Sequence, residues 1–393
     1  MGQKGTHQAG LQLSRLKWER TRSIDVATDL GFWDDRIRAT FEWYKKTSDQ
    51  LIAKNRPITT STGYEKAAFI NSTGMKNQGI EFDLDVVAFR NKEWTVKLSG
   101  NLARNENKLQ EDLETIGTWS GNALNNGDYP TLQLAGQPLG SYYGYLYEGV
   151  YMNTDETIAR DANGNKIYSF DANGNTVPVY MRFNYPAMDY QFVAGDAKYK
   201  DINHDGNINE QDVVYLGNGN PLITGGFGST VKWKNLTFST FFNFRYGNEI
   251  VNLARAKAES MNSFSNQSVS TLRRWTHEYT VEEVESGAAP KDILPRAAYK
   301  RGFNSLASSR YLEDGSFLRF KTATLKYELP KQWLVDTFIS KASIYFQMQN
   351  IYCWTHYTGA DPEVSISSPT RPGIDEATTP RAKEFVLGLS VNF

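Results

Sequence analysis

The sequence is short of the residues on which most metal and redox chemistry depends. Its 393 residues include one cysteine, Cys353, which excludes an intrachain disulfide and any multi-cysteine metal site. Four histidines (His7, His204, His277 and His356) stand apart, none four residues from another, so no two-histidine zinc helix exists. No run of 18 apolar residues occurs. That excludes a transmembrane helix and leaves a transmembrane barrel open, because barrel strands signal weakly. An excess of one charge is also missing: 43 Lys plus Arg against 44 Asp plus Glu leave a net charge of −1. A nucleic-acid protein would carry a basic excess, so none is expected as a partner. No GxSxG elbow, GxGxxG fingerprint, Walker loop or Cys/His dyad occurs, and the chain reads as no enzyme. The N-terminal Met1–Thr6 has no apolar core, so no secretion signal is expected there, although it fits the short myristoylation pattern MGxxx[ST].

Aromatics and glycine are abundant, with 22 Tyr, 21 Phe, 9 Trp and 31 Gly. Apolar residues at 40% and charged residues at 22% are too balanced for a disordered chain. The dominant pattern is alternation with period two, the signature of strands with one apolar face. Ile37, Ala39, Phe41 and Trp43 alternate with Arg38, Thr40 and Glu42. Ile80, Phe82, Leu84, Val86 and Ala88 alternate with Glu81, Asp83 and Asp85. The same pattern runs through 94–102, 236–246, 342–348 and 385–393, and further strands are predicted at 23–32, 142–151, 223–233 and 317–329. That makes about ten long strands. Two to four polar residues split several pairs, as hairpins require: Trp33-Asp34-Asp35, Asn91-Lys92-Glu93 and Lys234-Asn235.

Between other pairs lie long segments, 105–140, 153–221, 247–315 and 357–382. A compact soluble domain seldom tolerates structureless loops of that length, whereas outer-membrane barrels pair short periplasmic turns with long outer loops. The strands also reach the roughly 9–11 residues that a tilted crossing needs. Trp33, Trp43, Tyr44, Trp94, Trp233, Tyr246 and Trp354 near strand ends suit the interfacial aromatic belt. A soluble sandwich would show the same alternation, with its apolar faces sealed by a second sheet. No clean boundary divides the chain.

Asp201-Ile202-Asn203-His204-Asp205-Gly206-Asn207-Ile208-Asn209-Glu210-Gln211-Asp212 is the sharpest local motif. Oxygen-bearing side chains stand at loop positions 1, 3, 5, 9 and 12, with Gly at 6 and an apolar residue at 8. That is the spacing of a calcium loop. Asp201, Asn203 and Asp205 would converge on one hard cation, Asn207 would offer its carbonyl, and Asp212 would replace the usual Glu. A structural Ca2+ stapling a long loop is expected, rather than a switch; the plain alternative is a polar turn without an ion. His204 falls at a non-liganding position. Asp161-Ala162-Asn163-Gly164-Asn165 recurs as Asp171-Ala172-Asn173-Gly174-Asn175, and Asn-Gly predicts small type I′ hairpins. Tyr142-Tyr143-Gly144-Tyr145-Leu146-Tyr147 could stack on sugar rings, but reads first as a girdle or strand segment. Glu148, Asp155 and Glu156 cannot be shown to flank a scissile bond. The sequons at Asn71-Ser72-Thr73 and Asn235-Leu236-Thr237 read as chance in a bacterial-type chain.

From Leu16 to Phe393 the chain resembles the C-terminal half of the SusC/RagA family of TonB-linked outer-membrane transporters. The resemblance rests on pieces in family order. They begin with Leu16-Lys17-Trp18-Glu19-Arg20-Thr21, Asp29-Leu30-Gly31-Phe32, Asn77-Gln78-Gly79-Ile80-Glu81 and Gly195-Asp196-Ala197-Lys198-Tyr199-Lys200-Asp201. They continue with Leu216-Gly217-Asn218, Arg274-Trp275-Thr276, Leu294-Pro295-Arg296 and Tyr311 to Arg319, then Gln349-Asn350, Asp361-Pro362-Glu363-Val364 and the terminal aromatic Phe393. Residues 1–15 match nothing. The resemblance implies an all-β, antiparallel up-and-down transmembrane barrel portion: an open half-barrel with long extracellular loops. It further implies the bacterial outer membrane, a SusD-like lipoprotein lid, energy from TonB through an N-terminal part, and oligosaccharide or peptide cargo. Family members carry a plug and a 22-strand barrel, so about ten strands suggest a fragment or truncated product that neither transports nor inserts stably alone. Two alternatives remain: a soluble calcium-stapled β-sandwich that binds carbohydrate, and a secreted polysaccharide-cleaving enzyme with two convergent carboxylates.

Overall fold

The computed structural model describes residues 16–57, 66–71, 73–111, 131–132, 134–185, 188–300, 303–335, 337–363 and 372–393. Residues 1–15 with the Met1–Thr6 pattern, Ser72 of the first sequon and Val364 lie outside the described residues.

Nine long strands form one antiparallel sheet in simple sequence order. They are β1 (Arg20–Phe32), β2 (Ile37–Asp49), β3 (Met75–Arg90), β4 (Trp94–Leu109) and β5 (Ile223–Trp233), followed by β6 (Leu236–Tyr246), β7 (Phe317–Glu328), β8 (Lys341–Thr355) and β9 (Glu384–Asn392). Period-two side chains explain the architecture, because the register brings apolar residues opposite apolar residues on one face. Phe41 stands opposite Phe82, and Phe82 opposite Leu102. Phe227 pairs with Phe242, Phe242 with Phe320, and Phe320 with Tyr352. Leu325 meets Phe346, which meets Leu387. A slip of one residue would turn every one of these sets to the other face. Even an 11-residue strand reaches roughly 36 Å, projecting to about 28 Å at a tilt near 40°, enough for an apolar band about 25 Å tall.

Connections alternate as barrel topology requires. Connections of two to four residues join β1–β2, β3–β4 and β5–β6, and a longer one of 12 residues with a 3-10 turn at Lys331–Trp333 joins β7–β8 at the same end; long segments follow β2, β4, β6 and β8 at the other. The first turn is held by three successive left-handed residues, Trp33, Asp34 and Asp35, with φ of 54°, 54° and 60°.

Two departures from simple alternation have local causes. In β7 the residue Lys321 is bulged out of both ladders, so the apolar set shifts from Leu318 and Phe320 to Ala323, Leu325 and Tyr327. In β3 Ala88 is skipped in the same way, and the face continues through Phe89. The expected tenth long strand at 142–151 is not in this sheet. It breaks into Ser141–Gly144 and Tyr147–Val150, which pair with 214–218 and 197–199 instead.

Those short strands belong to a second region, a cap built from the long segments. Its core holds Tyr143, Tyr145, Tyr151, Phe183, Phe192, Tyr199, Ile208 and Leu306, all buried. A second cluster gathers Tyr142, Val251, Leu253, Ala307 and Tyr311. The segments expected as loops are therefore folded, with two short helices, α1 (Leu253–Glu259) and α2 (Val281–Glu285).

Candidate functional site

Three surfaces carry the functional argument: the apolar face of the sheet, its polar face, and the cap. The apolar face has no second layer over it among the described residues. Phe82 is 39% exposed, Phe227 44% and Leu387 76%. A soluble sandwich would seal these side chains, so that alternative loses its structural requirement. Aromatics ring both ends of the band. At the tight-turn end Trp94 stacks on Trp233 with centroids 5.7 Å apart. Tyr246 and Trp354 stand toward the other end. The opposite face is polar: Arg38 lies beside Asp85, Thr40 beside Asp83 and Glu42 beside Glu81. Farther round, Lys97 faces Thr230, and Ser239, Thr324 and Gln347 form a row. Apolar residues also stand on that face, among them Val87 beside Lys97, Val386 beside Gln347, and Phe241. Its ring lies over Gly226, where a Cβ would come within 2.7 Å of it.

The scattered sequence pieces that suggested a family turn out to meet in space. The Arg296 guanidinium donates to the fully buried Asp196 carboxylate at 2.8 Å, and the Arg296 amide donates to the Gly195 carbonyl at 2.7 Å. Gly195 has φ +88°, and a Cβ there would lie 2.5 Å from the Trp275 ring, so glycine is required twice over. Trp275 in turn donates its indole N–H to the Met152 carbonyl and its amide to the Leu294 carbonyl. Tyr190 donates to Asp196 at 2.6 Å; burial first, then this hydrogen bond and the Asp196 charge, pushes its phenol up to about 12. Thus three pieces, the first 80 to 100 positions from the other two, form one knot in the cap. A second knot joins Arg319 to Asp361 at 2.5 Å and to Glu363 at 3.4 Å, with Arg381 closing on Glu363 at 2.9 Å.

Of the predicted metal-loop residues, the structure brings Asp201, Asn203, Asp205, Asn207 and Asp212 into one compact turn. Asp201 accepts from the Gly206 amide at 2.8 Å, Asn203 from the Asp205 amide at 3.1 Å and Asp205 from the Asn207 amide at 2.7 Å. Gly206 takes φ +81°, as position 6 demands, and Ile208 is buried in the cap core. Asp212 is fully buried, with one carboxylate oxygen holding the Ile202 amide at 2.8 Å and the other the Asn209 amide at 2.9 Å. Burial raises its carboxyl, backbone donors oppose this, and the charges of Asp201 and Asp205 add to the rise. The turn thus has the positive-φ glycine and the gathered acidic side chains that the loop spacing implied. Yet the Asn203 amide donates to Asp205 at 3.0 Å, and among the described residues no three His, Cys, Asp or Glu side chains converge as a metal cluster.

Other candidates resolve plainly. Tyr142 and Tyr145 are completely buried, so the aromatic stretch belongs to the core of the cap, not to a sugar platform or girdle. The two Asp-Ala-Asn-Gly-Asn turns are alike: Asp161 accepts from Asn163 and Asn165, and Asp171 from Asn173 and Asn175. Only Gly164 and Gly174 take positive φ, so these are five-residue loops headed by an Asp, not type I′ turns. Asp155 pairs with Lys166 at 2.5 Å, and Glu156 accepts from the Met152 amide at 2.7 Å. The acidic neighbours thus serve structure.

An unsealed apolar sheet face ringed by aromatics, with short turns at one end and a folded cap at the other, defines part of a membrane-spanning β-barrel. Residues 5–209, a little over half the chain, match the model of the TonB dependent receptor-like, beta-barrel family, and the chain belongs to it. Proteins of this family reside in bacterial outer membranes. The TonB-dependent receptor P3 of Formosa agariphila is 27% identical over 391 residues, covering 96% of this chain and 34% of its own length. The TonB-dependent receptor SusC of Bacteroides thetaiotaomicron is 26% identical, covering 96% of this chain and 32% of its own. In fold, the RagAB peptide importer in its closed-closed state matches with a TM-score of 0.65 at 22% identity, over 96% of this chain and 36% of that one. The chain spans about a third of the length of these relatives.

Proposed function

We propose that this chain is the C-terminal barrel portion of a SusC-like importer that carries oligosaccharides, or peptides, across the outer membrane. The observation that supports it most is the unbroken apolar band that register builds across all nine strands. Both outer strands, β1 and β9, have an unpaired edge in this sheet. Bare backbone groups in lipid cost several kcal/mol each, so the reading places further strands against both edges. With nine alternating strands the two edges run the same way, and antiparallel closure takes an odd number of additional strands. The polar face would line the lumen, and the cap would meet a SusD-like lipoprotein and the cargo. TonB would supply energy through the rest of the transporter, and the chain would perform no covalent chemistry. Deletion in the source bacterium tests this: loss of uptake of one glycan or peptide class, restored by the intact protein in the outer membrane, is expected. Recovery of the intact protein in the soluble fraction would sink it.

The 201–212 turn is proposed to hold a structural Ca2+ through Asp201, Asn203, Asp205 and the Asn207 carbonyl, with Asp212 behind them. The preformed turn and its gathered negative charge support this. Calorimetric titration with Ca2+ should show one site that Asp205→Ala abolishes; a flat titration would leave the self-bonded turn as the whole account.

A further inference from the structure

We infer that the 12-residue connection between β7 and β8 is an interfacial anchor, lying on the periplasmic leaflet of the outer membrane and binding phospholipid there. The inference goes beyond the importer reading and needs only the barrel and its membrane. At the same end of the sheet the other three connections have two to four residues. Residues 329–340 are far more than a hairpin needs, and what they carry is largely apolar. Trp333 is 65% exposed, Val335 74% and Phe338 79%. Leu334 and Ile339 are half-buried, so the segment is apolar toward the barrel and apolar away from it. A loop standing in periplasmic water would turn polar side chains outward.

Register says what covers these side chains. Phe346 faces Leu387, Ile344 faces Leu389 and Ala342 faces Val391, so the outward row of β9 runs on to Phe393. Phe393 is 81% exposed, and the Phe338 ring stacks on it with centroids 5.5 Å and planes 15° apart. The connection is therefore folded against the lipid side of the sheet, not over the lumen, and continues the apolar band past its last rung. Trp94 and Trp233 stack at the same end, and Lys234 lies over the Trp233 ring at 5.7 Å. Lys331, two residues before Trp333, is exposed. Rings at the acyl boundary with ammonium groups among the phosphates are the arrangement of an interfacial segment. Its backbone is also largely satisfied without water. The Trp333 amide donates to the Pro330 carbonyl at 3.0 Å, that of Leu334 to Lys331 at 2.9 Å and that of Thr337 to Leu334 at 3.1 Å. The Thr337 hydroxyl accepts from the Ile339 amide at 3.2 Å, and the Ser340 amide donates to the Asn392 carbonyl at 2.8 Å. Such closure is what a non-helical segment needs where water is scarce.

The whole transporter that includes this chain, with Cys353→Ser, is reconstituted into vesicles of phosphatidylethanolamine and phosphatidylglycerol. A nitroxide label is placed at Val335→Cys, separately at Trp333→Cys, and at Lys92→Cys in the β3–β4 turn as the water reference. At 333 and 335, collision with oxygen should exceed collision with a soluble nickel chelate several-fold, and a nickel-chelating lipid should relax the label. At 92 the soluble chelate should win. Adding Phe338→Ser to the Val335→Cys protein should raise chelate access several-fold, and Phe338→Leu should leave it low. Heat-modified gel mobility confirms that each variant keeps the barrel. Labels at 333 and 335 as open to the chelate as the label at 92 would overturn the anchor. So would labels shielded from the chelate yet untouched by the nickel lipid, because protein would then cover them. Cargo uptake is measured apart from this. Uptake with wet labels removes the anchor and spares the importer; lipid-bound labels without uptake do the reverse.

Discussion

The sheet and the cap use hydrophobic residues in opposite ways. In the sheet, large apolar side chains repeat every second residue and stay exposed, as with Phe227 at 44% and Leu387 at 76%. In the cap, aromatic residues follow no simple period and vanish into the interior: Tyr145, Phe192 and Tyr199 are 0 to 2% exposed. Lipid completes the first region; the protein completes the second. The cap also carries buried charges such as Asp196, Arg310 and Glu259, each engaged by an opposite charge, while in the sheet Arg319 at the cap end of β7 is the counterpart. The same residue type should therefore respond differently to the same substitution in the two places.

The largest contrast is in aromatic truncation. Phe192→Ala should cost the cap about 3–5 kcal/mol, the usual range for emptying a packed aromatic site. Phe227→Ala should cost much less, because acyl chains fill the gap. Denaturant titration followed by near-ultraviolet dichroism for the cap, and by heat-modified gel mobility for the sheet, separates the two. Equal losses would show that the sheet face is packed on protein. Next in size is a charge in the band. Phe227→Arg should weaken insertion by about 2–4 kcal/mol if it lies near the midplane, while Thr230→Arg on the polar face should leave it nearly unchanged. Equilibrium refolding into liposomes of the whole transporter, whose further strands pair both edges of this sheet, measures both.

The two regions were also unequally legible. Strand positions, hairpin turns and the side from which long segments emerge could be read from alternation, because the period of the side chains is the period of the strand. Alternation in 317–328 was hidden by Lys321, whose bulge reverses the phase midway. The cap was not legible as a folded unit. Its core joins residues far apart, such as Tyr145 with Ala307 and Gly195 with Arg296, and no local period records such a meeting. The same blindness made Tyr142–Tyr147 read as a possible girdle. The calcium-type spacing did predict the turn at 201–212 and its φ-positive Gly206. It could not reveal that Asp212 is occupied in tying the Ile202 and Asn209 amides.

A smaller effect separates the regions by pH. Glu313 has its carboxyl held low in the folded cap, opposed by burial but outweighed by Thr358 and Arg255. Its contribution is present above the unfolded value of roughly 4.3 and is lost as pH falls through the lower folded value. Melting of the cap at pH 3 to 6 should show this loss, and Glu313→Gln should flatten it. An unchanged profile in that variant would place the acid sensitivity elsewhere.

The smallest effect concerns α2, which carries no buried residue and so depends on its own ends. The Thr280 hydroxyl accepts from the Glu283 amide at 3.2 Å, while the Glu283 carboxylate accepts from the Thr280 amide at 2.8 Å. This reciprocal cap satisfies two amides that a helix start leaves open. Thr280→Ala should cost about 1 kcal/mol, and Thr280→Ser almost nothing. Hydrogen exchange at residues 282–285 should speed up about fivefold in the first variant, with the sheet amides unaffected. Faster exchange in the sheet as well would mean that the two regions unfold as one unit, and the division between a lipid-completed and a self-completed half would fail at its weakest point.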